Sequence, residues 1–354
     1  MVAADAEAAT RRPPREGSSI ENLSPGYFAL VMATGIVSIA AEQRGYHGVA
    51  IGLLWINCVA YVVLWMLSGL RLARHPRRML DDLASHRTGA AFLTVVAATN
   101  VLGSQFAVVA NVPILAVVLW WAGLVLWTSL LYAFLTAVTF REPKPDLGTG
   151  IGGVWLLLVV STESIAVLGT VVAPHIALRG VLFVSLLAHL IGAMLYVVVI
   201  GLIFYRWTFF TMGTDQATPP YWINMGALAI TTLAGANLVI AAPQWELLRE
   251  LTPYLKGTML LFWAFASWWV PLLVIMGVWR HAVRRVPLRY DPQFWALVFP
   301  LGMYSVATTK MITAVELPFG EGIAVAAFWL SAAAWTITAV GMLSAERPRL
   351  SRRI

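Results

Sequence analysis

Apolar residues dominate the chain in ten long stretches, each separated from the next by a short polar or charged connection. A helix that crosses about 30 Å of hydrocarbon needs about 20 mainly apolar residues. The pattern therefore predicts ten membrane-spanning helices over 26–41, 50–69, 90–109, 113–138, 152–171, 181–204, 221–241, 257–279, 294–315 and 322–343. We predict an all-α integral membrane protein.

The composition agrees, since 60% of the 354 residues are apolar and 12% are charged, against about 45–50% and about 25% in soluble domains. A single cysteine, Cys58, excludes an intramolecular disulfide. No connection is long enough for a second, soluble domain. We predict an N-terminal tail over 1–24, a ten-helix transport domain over 25–344 and a basic C-terminal tail over 345–354.

The 24 Lys and Arg residues are distributed unequally between the two sides of the membrane. With the N-terminus inside, the inner segments carry nineteen of them and the outer loops four, while Lys310 lies within a span. An excess of basic residues marks the cytoplasmic side. Both termini are therefore predicted to be cytoplasmic, in an inner (plasma) membrane. The net charge of +7 then requires no nucleic-acid partner.

Polar residues favour the odd-numbered spans, which hold 21 of them in 99 residues, whereas the even-numbered spans hold 12 in 115. Lipid offers no hydrogen-bond partners, so polar groups turn toward other helices or toward a water-filled cavity. We predict an inner ring of odd helices and an outer ring of even ones. The alternative is that these Ser and Thr hydroxyls bond only within or between helices.

Two ionisable residues, Glu163 in the fifth span and Lys310 in the ninth, lie deep in the predicted membrane. An unpaired charge there costs a few kcal/mol. They either form a structural ion pair, or Lys310 attracts an anion while Glu163, protonated in part of the cycle, tunes its passage. His189 in the sixth span is interpreted as a packing residue.

Phe299 lies on the same face of the ninth span as Lys310, because eleven residues are within about 20° of three full turns. The two are then roughly 16 Å apart along the helix. A bulky ring in line with a buried cation suggests a hydrophobic constriction beside an anion-attracting step; plain core packing is the alternative. Helix kinks are expected at Pro300 and Gly302. Further candidates for the pore lining are Thr34, Asn100, Asn237 and Thr309.

Several motifs occur in a consistent order across the ten spans. They are Pro25-Gly-Tyr-Phe-Ala-Leu-Val-Met-Ala-Thr-Gly35, the basic stretch before the third span, Trp155, Tyr221-Trp-Ile-Asn-Met-Gly226 and Trp295-Ala-Leu-Val-Phe-Pro-Leu-Gly302. Over roughly residues 22–344 the chain resembles the tellurite-resistance/dicarboxylate transporter family, part of the voltage-dependent anion channel superfamily. That family includes bacterial tellurite-resistance channels, fungal malate permeases and slow anion channels of plant guard cells.

The resemblance implies five helical hairpins around a quasi-fivefold central pore, lined by the odd helices, in a homotrimer. It also implies that Phe299, at the family's position for an occluding phenylalanine, closes the pore. Glu163 and Lys310 match no feature expected of the simplest anion channels in the family. The first candidate function is transport of small anions, with C4-dicarboxylates such as malate as the expected substrates.

Alternatives of the same fold are a passive inorganic-anion channel and an exporter that confers resistance to tellurite or another toxic compound. An intramembrane enzyme is not expected, because His189 is the one histidine within a span and Ser305 lies about 140° from Lys310 around its helix. No carboxylate and histidine cluster has metal-ligand spacing, and no nucleotide-binding motif is present. We therefore expect no metal, no cofactor and no partner beyond the anion, lipid and copies of the chain.

Overall fold

The computed structural model describes residues 20–176 and 178–350, apart from the side chains of Leu178 and 346–350. Most of the predicted N-terminal tail and the last four residues lie outside this part. Ten long α-helices follow one another within it: α1 (Ala29–Gln43), α2 (His47–Arg74), α3 (Thr94–Val108), α4 (Pro113–Phe140), α5 (Leu157–Val172), α6 (Leu178–Phe209), α7 (Ile223–Ala241), α8 (Glu246–Val278), α9 (Trp295–Val315) and α10 (Glu321–Leu350).

Short helical segments join the long helices, and the described residues contain no strand. A 3₁₀ segment leads into every odd-numbered helix: Pro25–Phe28, Gly89–Leu93, Gly153–Leu156, Pro219–Trp222 and Pro292–Phe294. The other short segments are the α-helices Pro76–Leu83 and Leu147–Gly150, the 3₁₀ turns Ala173–His175 and Ala242–Gln244, and the π-helical turn Trp279–Val283. Each of the five odd-numbered helices is thus preceded by the same kind of short segment.

Nine helices in the described part of the chain, taken with their 3₁₀ leads, are long and apolar enough to span a membrane. They coincide with nine of the ten predicted spans. The helix that is not among them is α9, which matches the predicted span 294–315 in position and has 21 residues. Pro300, Lys310 and several hydroxyl residues lower its hydropathy. The protein is thus a multi-pass, all-helical membrane protein.

The odd-numbered and the even-numbered helices differ in the share of their residues that is buried. The most apolar windows of α1, α3, α5 and α7 are 72–89% buried, whereas those of α2, α4, α6, α8 and α10 are 28–39% buried. Helix α9 belongs with the first group, since most of its residues are buried. Large apolar side chains such as Trp55, Ile114 and Ile337 are exposed on the even helices, as expected for surfaces that face lipid. The polarity counts predicted the same division.

The five odd-numbered helices form a closed series of contacts, in which α1 packs on α3, α3 on α5, α5 on α7, α7 on α9 and α9 on α1. Each also packs on the even helix that follows it. Glycines allow the backbones to approach closely, as is common between membrane helices. A Cβ on Gly226 of α7 would lie 2.8 Å from Cγ of Pro300, and one on Gly302 would lie 2.8 Å from Cγ2 of Ile36.

Buried arginines fasten the connections at the end of the bundle where the odd helices begin. Arg71 pairs with Asp82 and donates to the Glu21 carbonyl oxygen at 3.1 Å. Arg206 donates to the Gly148 carbonyl oxygen. It also donates to the hydroxyl of Tyr221, which lies in the 3₁₀ segment that leads into α7. Arginine suits this role because its planar guanidinium holds several acceptors at once.

The same end of the bundle carries much of the positive charge of the connections. Burial, followed by the charges of Arg141 and Lys144, lowers the pKa of the nearby His86 imidazole. His86 therefore stays neutral at a lower pH than a free histidine, because adding its proton beside two cations is unfavourable.

Candidate functional site

A cavity of about 270 Å³ lies between the odd-numbered helices, far above the about 10–15 Å³ that one water molecule needs. We call it the central cavity. All five odd helices line it, and its wall is apolar apart from the side chains of Gln43, Asn100, Ser104, Ser164, Thr170, Asn237, Gln244 and Lys310. Such a space can hold a small hydrated solute inside the membrane domain.

The central cavity occupies the half of the bundle in which the odd helices end. Its lining residues follow helical spacing, as Met303, Val306 and Lys310 do on α9. The cavity reaches Gln43 and Gln244, at the ends of α1 and of the turn after α7. One helical turn before the first lining residues of each odd-numbered helix, the residues are apolar or small.

We call this deeper layer the apolar floor. It consists of the residues four positions before five lining residues, all of them buried: Met32, Ala97, Val160, Gly226 and Phe299. Phe299 is 1% exposed, and the other members are also removed from solvent. Phe299 is the one aromatic residue among these five.

Lys310 is the charged side chain of the cavity wall. Its ammonium group has no carboxylate within 4.0 Å among the described residues. An unpaired cation in a cavity with low-dielectric walls raises the local concentration of anions. The predicted anion-attracting residue thus lies in the cavity, about three turns from Phe299 on the same face of α9.

The predicted amides Asn100 and Asn237 also line the central cavity. Asn100 Nδ2 donates to Ser164 Oγ at 2.9 Å, and its Oδ1 has no partner. The Asn237 amide makes no hydrogen bond with any residue that the structure describes. The Asn237 amide therefore keeps hydrogen-bonding capacity for a solute or for water, whereas the side-chain carbonyl oxygen of Asn100 is buried against Gly123 of α4.

Glu163 is not part of the cavity wall and does not pair with Lys310. Its side chain is fully buried, and Oε2 lies 3.1 Å from Nδ1 of His189 on α6. The structural ion pair considered for Glu163 is thus formed with another residue. His189, interpreted from the sequence as a packing residue, is the partner of this buried carboxyl group.

Thr34 and Thr309 do not line the central cavity either. Thr34 accepts a hydrogen bond of 3.0 Å from Trp335 Nε1, which turns its hydroxyl toward α10. Thr309 accepts a hydrogen bond from Arg44, which also forms an ion pair with Glu321 at the start of α10. Thr309 therefore lies outside the cavity wall, in a contact that joins the end of α1, α9 and the start of α10.

Pro300 and Gly302, the predicted kink positions, lie inside the continuous helix α9. Pro300 packs against Gly226 and Gly302 against Ile36. These contacts set how closely α9 approaches α7 and α1.

Sequence reasoning missed five polar lining residues: Gln43, Ser104, Ser164, Thr170 and Gln244. Helical spacing from the predicted amides could have found two of them, since Ser104 is four residues after Asn100 and Gln244 is seven after Asn237. The described residues contain no group of three or more His, Cys, Asp or Glu side chains that could hold a metal ion.

Comparisons with known proteins agree with this architecture. The chain is 43% identical over 149 residues to an uncharacterized membrane protein of Mycobacterium tuberculosis, covering 42% of this chain and 75% of that protein. It is 24% identical over 333 residues to an uncharacterized transporter of Methanocaldococcus jannaschii, covering 91% and 94%. It is 23% identical over 359 residues to a sulfite efflux pump of Trichophyton rubrum, covering 90% and 91%.

A family model described as voltage-dependent anion channel matches residues 22–343, which is nearly the whole membrane domain. The resemblance found in the sequence motifs is thereby confirmed. The chain belongs to the voltage-dependent anion channel family.

Proposed function

We propose that this protein transports small anions across the cell membrane through the central cavity. The observation that carries the proposal is the unpaired ammonium of Lys310 in a polar cavity enclosed by five helices. A buried cation without a carboxylate is costly, and an anion in the cavity would offset that cost. Membership of a family of anion channels supports the same function.

In this proposal α9 is the ninth of ten membrane crossings, and the five hairpins surround one pore on a quasi-fivefold axis. Both termini are cytoplasmic, so the central cavity opens toward the outside. The protein forms a homotrimer in the plasma membrane, with one pore in each protomer. The closed series of contacts among the odd helices supports the pore, and the basic inner connections support the orientation.

Phe299 closes the pore in this proposal. The α9 residues that line the central cavity are Met303, Val306 and Lys310. Phe299 lies one helical turn before Met303, and its ring is buried. A layer that holds no polar group and no water is a barrier to ions. Conduction then requires the Phe299 side chain to move out of the pore.

The lining favours an anion with a single centre of charge. The Lys310 ammonium and the Asn237 amide can bind a compact oxyanion, whereas a C4-dicarboxylate carries two separated carboxylates and the wall supplies one cation. Sulfite is therefore our first candidate, in line with the names of the fungal relatives. Malate, expected from the family resemblance, is the second.

Uptake into proteoliposomes tests the proposal. We expect the purified protein to carry sulfite faster than malate, with chloride and nitrate as inorganic references and empty liposomes as the baseline. Malate uptake above that of sulfite would reverse the substrate order. Fluxes equal to those of empty liposomes for all four anions, from protein shown to be folded, would contradict anion transport.

A further inference from the structure

A carboxyl group and an imidazole meet inside the membrane domain, behind the wall of the central cavity. Glu163 of α5 is 0% exposed and His189 of α6 is 2% exposed. Oε2 of the carboxyl group lies 3.1 Å from Nδ1 of the ring. The other carboxyl oxygen, Oε1, has no hydrogen-bond partner. Most buried polar atoms in proteins have a partner, so Oε1 is an acceptor that is free to bind a proton.

The helices around the pair leave room for it and supply no further titratable group. A Cβ on Gly192 of α6 would lie 2.6 Å from Glu163 Oε1, and one on Gly235 of α7 would lie 3.6 Å from His189 Nε2. The Thr231 hydroxyl of α7 also faces the carboxyl group, but its own hydrogen bond goes to the Ala227 carbonyl oxygen at 2.8 Å.

Two further elements approach the same region. The Trp127 indole of α4 donates to Thr162 on α5, and Met259 of α8 packs beside Gly235. Neither residue titrates. Among the described residues, His189 is therefore the charged or titratable group that acts on Glu163.

The pair is adjacent to the cavity in sequence and in space, because Ser164 lines the cavity and accepts the Asn100 hydrogen bond. A net charge on so buried a pair is unfavourable, so the resting pair holds one proton between Oε2 and Nδ1 and is neutral. An anion in the cavity changes this balance, since it attracts a positive charge through the wall.

We propose that Glu163 and His189 form an intramembrane proton-binding site that takes up a second proton when an anion occupies the central cavity. The proton adds to the unpartnered Oε1 of the carboxyl group, and the imidazole keeps its proton at Nδ1. The product is a carboxylic acid beside an imidazolium, so one positive charge accompanies one anion. Loss of that proton on the other side restores the neutral pair.

This inference rests on the proposed anion transport, and its direct test measures protons rather than flux. Nitrate, which takes up no proton itself near neutral pH, is added to the purified protein in detergent, in weak buffer with a pH-sensitive dye. We expect wild type to take up about one proton per bound anion, because linkage makes the coupling between two ligands reciprocal. Glu163→Gln and His189→Gln should bind the anion with uptake close to zero.

The matched control is Glu42→Gln, which removes the carboxylate of a Glu–His pair at the protein surface, with Glu42 Oε2 at 2.8 Å from Nδ1 of His47. We expect it to keep the proton uptake of wild type. Anion binding by wild type without proton uptake, or full uptake in Glu163→Gln, would overturn the proton site and leave anion transport standing.

If no anion binds to wild type, the proposed function fails and the proton site is tested by itself. Thermal unfolding midpoints are then compared between pH 5 and 8 for wild type and Glu163→Gln. A proton-binding pair requires the two pH profiles to differ, because a group whose proton affinity differs between the folded and unfolded states makes stability pH-dependent. Coincident profiles would overturn it.

Discussion

Replacing Lys310 by methionine tests the electrostatic part of the proposal most directly. Methionine keeps an unbranched side chain of similar length and removes the ammonium charge. Two unit charges at 4 Å interact by about 1 kcal/mol in water and about 4 kcal/mol at an effective dielectric constant of about 20. Lys310 is partly exposed in a polar cavity, so an intermediate value of about 2 kcal/mol applies.

A loss of about 2 kcal/mol corresponds to roughly 30-fold weaker anion binding. Stability should change in the opposite direction. A lysine within a membrane span costs about 2.5–3.5 kcal/mol on insertion scales, and Lys310 has no carboxylate partner among the described residues. Lys310→Met is therefore expected to unfold at a temperature equal to or above that of wild type while it transports less.

The assay is initial anion uptake into proteoliposomes over a range of concentrations, together with thermal unfolding of the same preparations. Lys256→Met is the matched control, because Lys256 lines another depression, where α7 and α9 end and α8 begins, and is not part of the central cavity wall. We expect it to keep the wild-type apparent affinity within about twofold. Unchanged affinity in Lys310→Met, or equal losses in both variants, would refute the assignment of Lys310.

Three further predictions address the pore, the helix contacts and the wall. Phe299→Ala should raise anion flux because it opens the apolar floor, while losing about 3–5 kcal/mol of stability; flux at or below wild type would contradict the gate. Gly226→Ala places a methyl group 2.8 Å from Cγ of Pro300 and should cost about 1–3 kcal/mol, measured as a lower unfolding midpoint; an unchanged midpoint would show that α7 and α9 separate freely. Thr34→Val leaves the Trp335 indole N–H unpaired and should cost about 1–3 kcal/mol with no change in apparent anion affinity, since Thr34 lies outside the cavity; altered affinity would place it in the wall.

The positions of the helices could be predicted from the sequence because the membrane imposes one length scale on every span. The division into buried and lipid-facing helices was also predictable, since hydroxyls and amides avoid lipid. Helix α9 shows why hydropathy alone is insufficient: Lys310 and its neighbouring threonines lower the mean hydropathy of a helix that is mostly buried.

The partners of the polar residues could not be predicted in the same way. Glu163 and Lys310 are both deep in the membrane domain and opposite in charge, so a pair between them was a reasonable hypothesis. Whether they meet depends on the rotation of α5 and α9 about their axes, which directs Glu163 toward α6 and Lys310 into the cavity. The rotation of a helix about its axis is set by its packing against neighbouring helices, as at Gly192 and Gly235. The periodicity of a single span in the sequence contains no information on that packing.

In the proposed pore, closure by Phe299 rests on an asymmetry among the five odd-numbered helices. At the level of the floor, four of them contribute Met32, Ala97, Val160 and Gly226, and two of these have a methyl group or no side chain. Small residues bring the backbones together but cannot fill the space on the axis of a ring of five helices. A single large ring from the fifth helix can fill it, and in the proposed pore that ring is Phe299, on a helix whose close approach to α7 depends on Gly226. One side chain on one helix can then control conduction, whereas five equivalent medium-sized side chains would have to move together.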